Sequence, residues 1–207
     1  MSIGIFGNKL GMTQIFTEDG LALPITVIRV GPCLVTQIKN RKKDGYDAIQ
    51  IGYKSSKKNR VRKSDLGHFQ KAGVSPLIHL CEYKDVDLSK YHLGQKITAN
   101  IFNIGQFVNV SGKSIGKGYS GNQKRHKFKR GPMTHGSKNH RLPGSIGPGT
   151  TPGRVFPGKL MSGQLGANFV TVSRLEILGM DLGKNILILK GNVPGKPGNL
   201  LRINSSY

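Results

Sequence analysis

No aspartate or glutamate occurs between Asp87 and Glu176. Hydrolytic and transfer chemistry usually needs a carboxylate, or a nucleophile activated by a base. Here the ten acids are scattered and all lie outside that window, so no enzyme is expected. The same lack bears on His126, His135 and His140, which have no cysteine or carboxylate at ligand spacing; no metal and no cofactor are expected. Tryptophan is absent, and Cys33 and Cys81 are the only cysteines. Two cysteines in apolar surroundings make no disulfide framework and read as buried thiols in a reducing compartment. No apolar run approaches the roughly 18–20 residues of a spanning helix, no basic amphipathic helix stands out, and the first residues lack the apolar region of a signal peptide. A membrane partner is not expected, and the chain is expected to act in the compartment where it is made.

What is present is positive charge. The 207 residues carry 32 Lys and Arg against 10 acids, a formal net charge of +22. That excess exceeds what solubility requires and points to a polyanion. It is densest from Ser111 to Gly166, where Lys, Arg, Gly and Pro dominate and large apolar residues are sparse. Ordering such a segment costs about 1–2 kcal/mol per residue in backbone entropy, which its own apolar area does not offset. A polyanion is therefore expected to order it, and without one it is expected to be mobile.

The flanks have strand character. Residues 2–6 and 12–16 are short apolar runs, and Asp19-Gly20 signals a hairpin into Leu21-Ala22-Leu23. Further strands are expected over residues 25–30, 34–39, 48–53, 77–81, 97–104, 107–110, 169–177, 186–189 and 200–203. Short strands at this spacing suggest an antiparallel barrel or sandwich. Ser64-Asp65 caps an expected helix running to Ala72, with Gly73 just beyond it, and residues 86–93 read as a loop or a second turn.

Two motifs in the basic stretch have competing readings. Gly116-x-Gly118-x-x-Gly121 matches a dinucleotide-binding pattern, but that chemistry needs a following helix and an acid about twenty residues on; the next acid is Glu176. Glycines that let peptide N–H groups approach phosphates are the plainer reading. Lys124-Arg125-His126-Lys127-Phe128-Lys129-Arg130 reads either as a solvated basic segment or as a phosphate-contacting track with Phe128 as a stacking group. Its mid-chain position and the turn signals after it favour the track.

The residues Phe102, Asn109, Gly112, Ser114, Gly116, Lys117, Gly118, Gly121 and Arg125, at their spacing, resemble the signature of the large-subunit ribosomal protein three family in its bacterial and plastid form. The opening Gly7-x-Lys9-x-Gly11-Met12-Thr13-Gln14-Ile15-Phe16 is similar to that family's N-terminus. So are Gly67-His68-Phe69-x-Lys71-Ala72-Gly73, Thr134-His135-Gly136, His140-Arg141-x-Pro143-Gly144-Ser145-Ile146-Gly147 and Thr151-Pro152-Gly153.

The resemblance implies a mainly β fold: a translation-factor-like antiparallel barrel (residues 1–60, 95–111 and 167–207), a small α+β insertion (61–94), and a long basic loop (112–166) that enters ribosomal RNA. It implies a structural constituent of the large subunit that binds its RNA near the 3′ end and nucleates assembly. Neighbouring ribosomal proteins are the other expected partners; no small-molecule substrate and no homo-oligomer are expected. The expected RNA contacts are Lys113, Lys117, Lys124, Arg125, His126, Lys127, Phe128, Lys129, Arg130, Lys138, His140, Arg141, Arg154 and Lys159. A second patch is Lys57, Lys58, Arg60, Arg62 and Lys63. The tip expected near the peptidyl transferase centre is Pro143, Gly144, Ser145, Gly149, Thr150 and Arg154. Some bacterial members carry a methylated Gln where this chain has Thr150, so that modification is not carried over. An Asn-, Lys- and Ile-rich composition favours the plastid stroma slightly over a bacterial cytoplasm. The alternative from another class is a free nucleic-acid chaperone or architectural nucleic-acid-binding protein, which predicts similar affinity for RNA and DNA.

Overall fold

A computed structural model of the chain describes residues 3–84 and 87–206. Ser2, the first residue of the expected opening strand, and Val86, the first of the expected loop, lie outside them. The chain divides into two compact units: residues up to Lys113 together with those from Phe169 onward, and Ser114–Asn168.

The first unit is built mainly from strands. β1 (Ile5–Phe16) and β2 (Ala22–Val30) form a long hairpin. Gly20 turns it with φ 79°, and Thr17 Oγ1 accepts from the Leu21 N–H at 3.1 Å. The two short runs read from the sequence are thus one strand, bent by a register shift between Lys9 and Gly11 that absorbs the polar interruption. β3 (Cys33–Lys39), the single-turn α1 (Arg41–Asp44), β4 (Ala48–Ser55), α2 (Lys63–Lys71), β5 (Leu77–Lys84) and β6 (Lys96–Ile97) follow. β7 (Phe107–Lys113) leads out to the second unit. β10 (Phe169–Asp181), β11 (Ile186–Lys190) and β12 (Leu200–Ser205) come after it.

β1, β12, β7, β10, β11 and β2 close into an antiparallel barrel in that order. The remaining four strands form a second sheet in the order β5-β4-β3-β6. Residues 33–55, assigned from the sequence to the barrel, therefore belong to the second sheet. The physical reason is pairing: β5 cannot satisfy its backbone alone, and it takes β4 as partner from Ala48↔Lys84 to Ser55↔Leu77. Nor do the two sheets have separate cores. Ile5, Ile28, Val110, Ile177, Leu189 and Ile203 of the barrel join one buried cluster with Val35, Ile49, Ile51 and Ile97 of the second sheet. Alternation explains both layers, since each strand sends every second side chain inward.

Three local expectations need correction. The run 97–104 is strand only at its start; residues Ala99–Ile101 form a 3-10 turn that drops Phe102 into the core at 2% exposure. α2 begins at Lys63, one residue before Ser64, with Arg62 at the N-cap position and no side-chain bond there; Phe69 is its buried residue, and Ala72 at its C-cap is buried too. Cys33 is buried, and burial pushes its thiol up to about 12, but Cys81 is only half-buried.

On the second sheet, Lys39 Nζ lies 2.7 Å from Glu82 Oε1, and the Tyr46 hydroxyl donates to Glu82 Oε2 at 2.8 Å. The Lys39 bond chiefly, with Tyr46 and Gln50, holds the Glu82 carboxyl below its ordinary 4.5. A depressed carboxyl stabilises the fold above its unfolded value and ceases to do so as the pH falls through its folded value. Urea midpoints should therefore fall on acidification below about pH 4.5, and Glu82→Gln should make that fall shallower. An unchanged slope in the variant would remove Glu82 from the account.

Candidate nucleic-acid interface

The second unit, Ser114–Asn168, holds ten Lys and Arg and no acid. It has little apolar core, so backbone and polar contacts hold it. β8 (Tyr119–Ser120) pairs with β9 (Gly163–Gln164), and the five-residue α3 (Asn122–His126) follows β8. At its base the Ser114 N–H donates to the Asn168 carbonyl at 2.8 Å. Lys117 N–H donates to the Leu165 carbonyl at 2.8 Å, and Leu165 N–H to the Gly118 carbonyl at 2.9 Å. Gly116-x-Gly118-x-x-Gly121 is thus part of a hairpin leg. It opens no parallel βαβ unit, since every strand pair among the described residues is antiparallel.

Gly166 is required at this base. Its φ is +72°, and a Cβ there would overlap the Ile115 carbonyl oxygen. Gly166→Ala combines backbone strain of about 1–3 kcal/mol with a clash that only backbone movement relieves. The expected result is faster amide exchange at Lys117 and Leu165 with exchange at β1 and β2 unchanged. Equal protection in variant and wild type would contradict the constraint.

The expected contact residues divide into two groups. Lys113, Lys117, Lys124, Lys127, Lys129, Arg130, Lys138, Arg141, Arg154 and Lys159 are exposed. Arg125, His126 and His140 are half-buried and engaged within the unit. Arg125 Nη1 donates to the Met161 carbonyl at 2.6 Å, and His126 Nε2 donates to the same oxygen at 2.9 Å. His140 Nδ1 donates to the Pro132 carbonyl at 2.9 Å, while its own carbonyl accepts from the Gly131 N–H at 3.0 Å. Arg125 and His126 tie the outgoing leg to the returning one, and His140 closes a loop of the outgoing leg on Pro132, roles that pattern reading from charge alone missed. Lys127 ends α3 in a left-handed conformation, φ 60°.

The tip has its own geometry. Pro143, Gly144, Ser145, Gly149 and Thr150 are all exposed. Phe128, Pro143, Ser145, Ile146, Lys159 and Leu160 surround a pocket of about 300 Å³. Residues distant in sequence thus meet around one apolar hollow in an otherwise cationic unit. Arg154 lies over the Phe156 ring at 5.8 Å, within cation–π range. A planar base has the shape and chemistry for such a hollow, and the Lys159 ammonium beside it suits a phosphate.

In the first unit, Lys57, Lys58, Arg60, Arg62 and Lys63 are exposed along a 3-10 turn (Lys58–Arg60) and the start of α2. Cations at a helix N-terminus oppose the helix dipole. Helix stability does not account for their placement.

The comparisons with known proteins agree with one another. The family model described as Ribosomal protein L3 matches residues 54–183. The chain is 59% identical, over all of its length and 97% of the relative's, to "Large ribosomal subunit protein uL3" of Picosynechococcus sp.. It is 56% identical to "Large ribosomal subunit protein uL3c" of Phaeodactylum tricornutum, over 98% of both chains. To the protein of that name in Porphyra purpurea it is 55% identical, over 99% of this chain and all of the relative.

Proposed function

The chain belongs to the ribosomal protein L3 family, and from that premise we infer that its acid-free unit is the part that enters large-subunit ribosomal RNA. The protein is a structural constituent of the large ribosomal subunit. In our reading the closed six-stranded barrel, of the translation-factor kind, docks on the subunit's outer face. The unit Ser114–Asn168 threads between RNA helices and neutralises phosphates whose mutual repulsion opposes their approach. The residues Pro143 to Arg154 form the tip directed toward the peptidyl transferase centre. The protein binds the RNA near its 3′ end and nucleates assembly there. The compartment is the plastid stroma or a bacterial cytoplasm.

The observation that carries this reading is the pairing of ten exposed or inward-tied cations with a complete lack of acids in a unit that has its own backbone hydrogen bonds. Within the unit the roles differ. Lys117, Lys124, Lys127, Lys129, Arg130, Lys138, Arg141, Arg154 and Lys159 face outward as phosphate partners. Arg125, His126 and His140 hold the shape in which those partners are presented, and Phe128 offers its ring to a base.

The test is the salt dependence of binding by the intact protein to a large-subunit RNA fragment. About ten phosphate contacts give a slope of log affinity against log salt of roughly −7 to −9. Duplex DNA of equal length should bind more weakly at every salt concentration. A slope near zero, or equal affinity for the DNA, would overturn the reading.

A further inference from the structure

The barrel and the second sheet of the first unit enclose a cleft of about 490 Å³ that the pattern of charge along the sequence does not reveal. Arg29 of β2, Lys54 of β4 and Lys96 of β6 line it, and among the described residues no acid does. Pro32, Leu34 and Leu77 supply apolar wall. All three cations are exposed, and 67 residues separate the first from the last, so only the fold assembles them. We propose that this cleft is a second RNA site, taking a phosphodiester segment with one nucleotide seated against the apolar wall.

Three observations favour a built site over three solvated charges. The cations come from three different strands, whereas repulsion between like charges favours dispersing them around the barrel. The volume lies within the roughly 300–1,000 Å³ of small-ligand sites, and cations above an apolar wall match the two chemistries of a nucleotide. Lys54 also holds φ +62°, a conformation that glycine or asparagine adopts with less strain. That strain falls within β4, at a residue whose side chain lines the cleft. The exposed run Lys57–Lys63 begins three residues further on, so the same edge continues as a cationic track.

This site rests on the reading of the chain as a ribosomal RNA binder but is independent of the acid-free unit. The experiment compares the full chain with its R29Q/K54N/K96Q variant on large-subunit RNA, and maps amine acetylation of the wild type with and without that RNA. The variant should lose about 2–3 units of salt slope and bind roughly fifty- to a hundredfold more weakly near 0.15 M salt. RNA should protect Lys54 and Lys96 of the wild type from acetylation, a readout that holds even where the variant folds poorly. Wild type that fails to bind RNA at all would overturn the RNA-binding reading and this site with it. Wild type that binds while Lys54 and Lys96 stay reactive, with the variant's slope unchanged, would overturn this site alone. Protection seen in the assembled subunit but not with bare RNA would assign the cleft to a neighbouring protein and likewise overturn it.

Discussion

Replacing Lys117, Lys124, Lys127, Lys129, Arg130, Lys138 and Arg141 together by glutamine should lower affinity for large-subunit RNA by roughly three to five orders of magnitude near 0.15 M salt. The size follows from counterion release. Each neutralised phosphate contributes about 0.7 to 0.9 to the salt slope, so seven contacts account for about 5 to 6 units of it. All seven side chains are exposed, and the unit contains no acid to pair with them. Removing their charge therefore breaks no ion pair inside the unit. Arg125, His126 and His140 are left out because they donate to the Met161 and Pro132 carbonyls. Circular dichroism of the variant should match wild type, and titrations at several salt concentrations measure the slope. A loss of less than tenfold would mean that the barrel, not the acid-free unit, supplies the affinity.

The second large effect concerns stability. Lys9 is 6% exposed, yet among the described residues no carboxylate is its partner. Its ammonium donates to the Val193 carbonyl at 3.0 Å, the Gly195 carbonyl at 3.1 Å and Asn192 Oδ1 at 3.3 Å. These acceptors lie in the Gly/Pro loop between β11 and β12, which has few backbone partners of its own. The Asn199 carbonyl accepts from the Lys9 backbone N–H at 3.0 Å, and the Lys9 carbonyl accepts from Gly198 N–H at 2.7 Å, so main chain and side chain pin the same loop. Lys9→Met keeps the aliphatic stem and leaves two carbonyls and an amide oxygen without a donor. Each unsatisfied buried group costs about 1–3 kcal/mol; since two of the three bonds are only partly buried, the expected loss is about 2–4 kcal/mol. Burial also holds the Lys9 ammonium below its ordinary 10.5. The folded state then sheds this proton before the unfolded chain does, so the burial penalty is full at neutral pH and relieved as the pH rises toward 10.5. Urea unfolding of the variant measures the loss; a change under 0.5 kcal/mol, about the ordinary surface effect, would mean that water replaces the ammonium without penalty.

The mainly β character was legible because apolar alternation and turn residues are local signals. Asp19-Gly20 and Gly183-Lys184-Asn185 mark hairpins whose ends pair as β1 with β2 and β10 with β11. What alternation does not carry is partner choice. Val35 and Ile49 look like barrel residues in sequence, and only the β4–β5 pairing assigns them to the second sheet. Charge is similarly ambiguous. Lys9 stood in the sequence as a motif residue with no role, and its use as a loop pin depends on acceptors more than 180 residues away. Arg125 and Lys124 are adjacent and alike by composition, yet one turns inward to Met161 and the other outward. Arg29, Lys54 and Lys96 carried no signal because no short window contains any two of them. The acid-free window was the reverse case: an absence sustained from Leu88 to Leu175 is visible at any register.

Sedimentation of a native lysate in low magnesium, with this protein followed across the gradient, tests the central claim most directly. Dissociated subunits separate cleanly there, and a moderate salt wash removes loosely bound basic proteins. The account predicts that essentially all of the protein migrates with the large subunit and stays through the wash, because the acid-free unit lies within the RNA and not on it. A peak at the top of the gradient, or release by the wash, would contradict it.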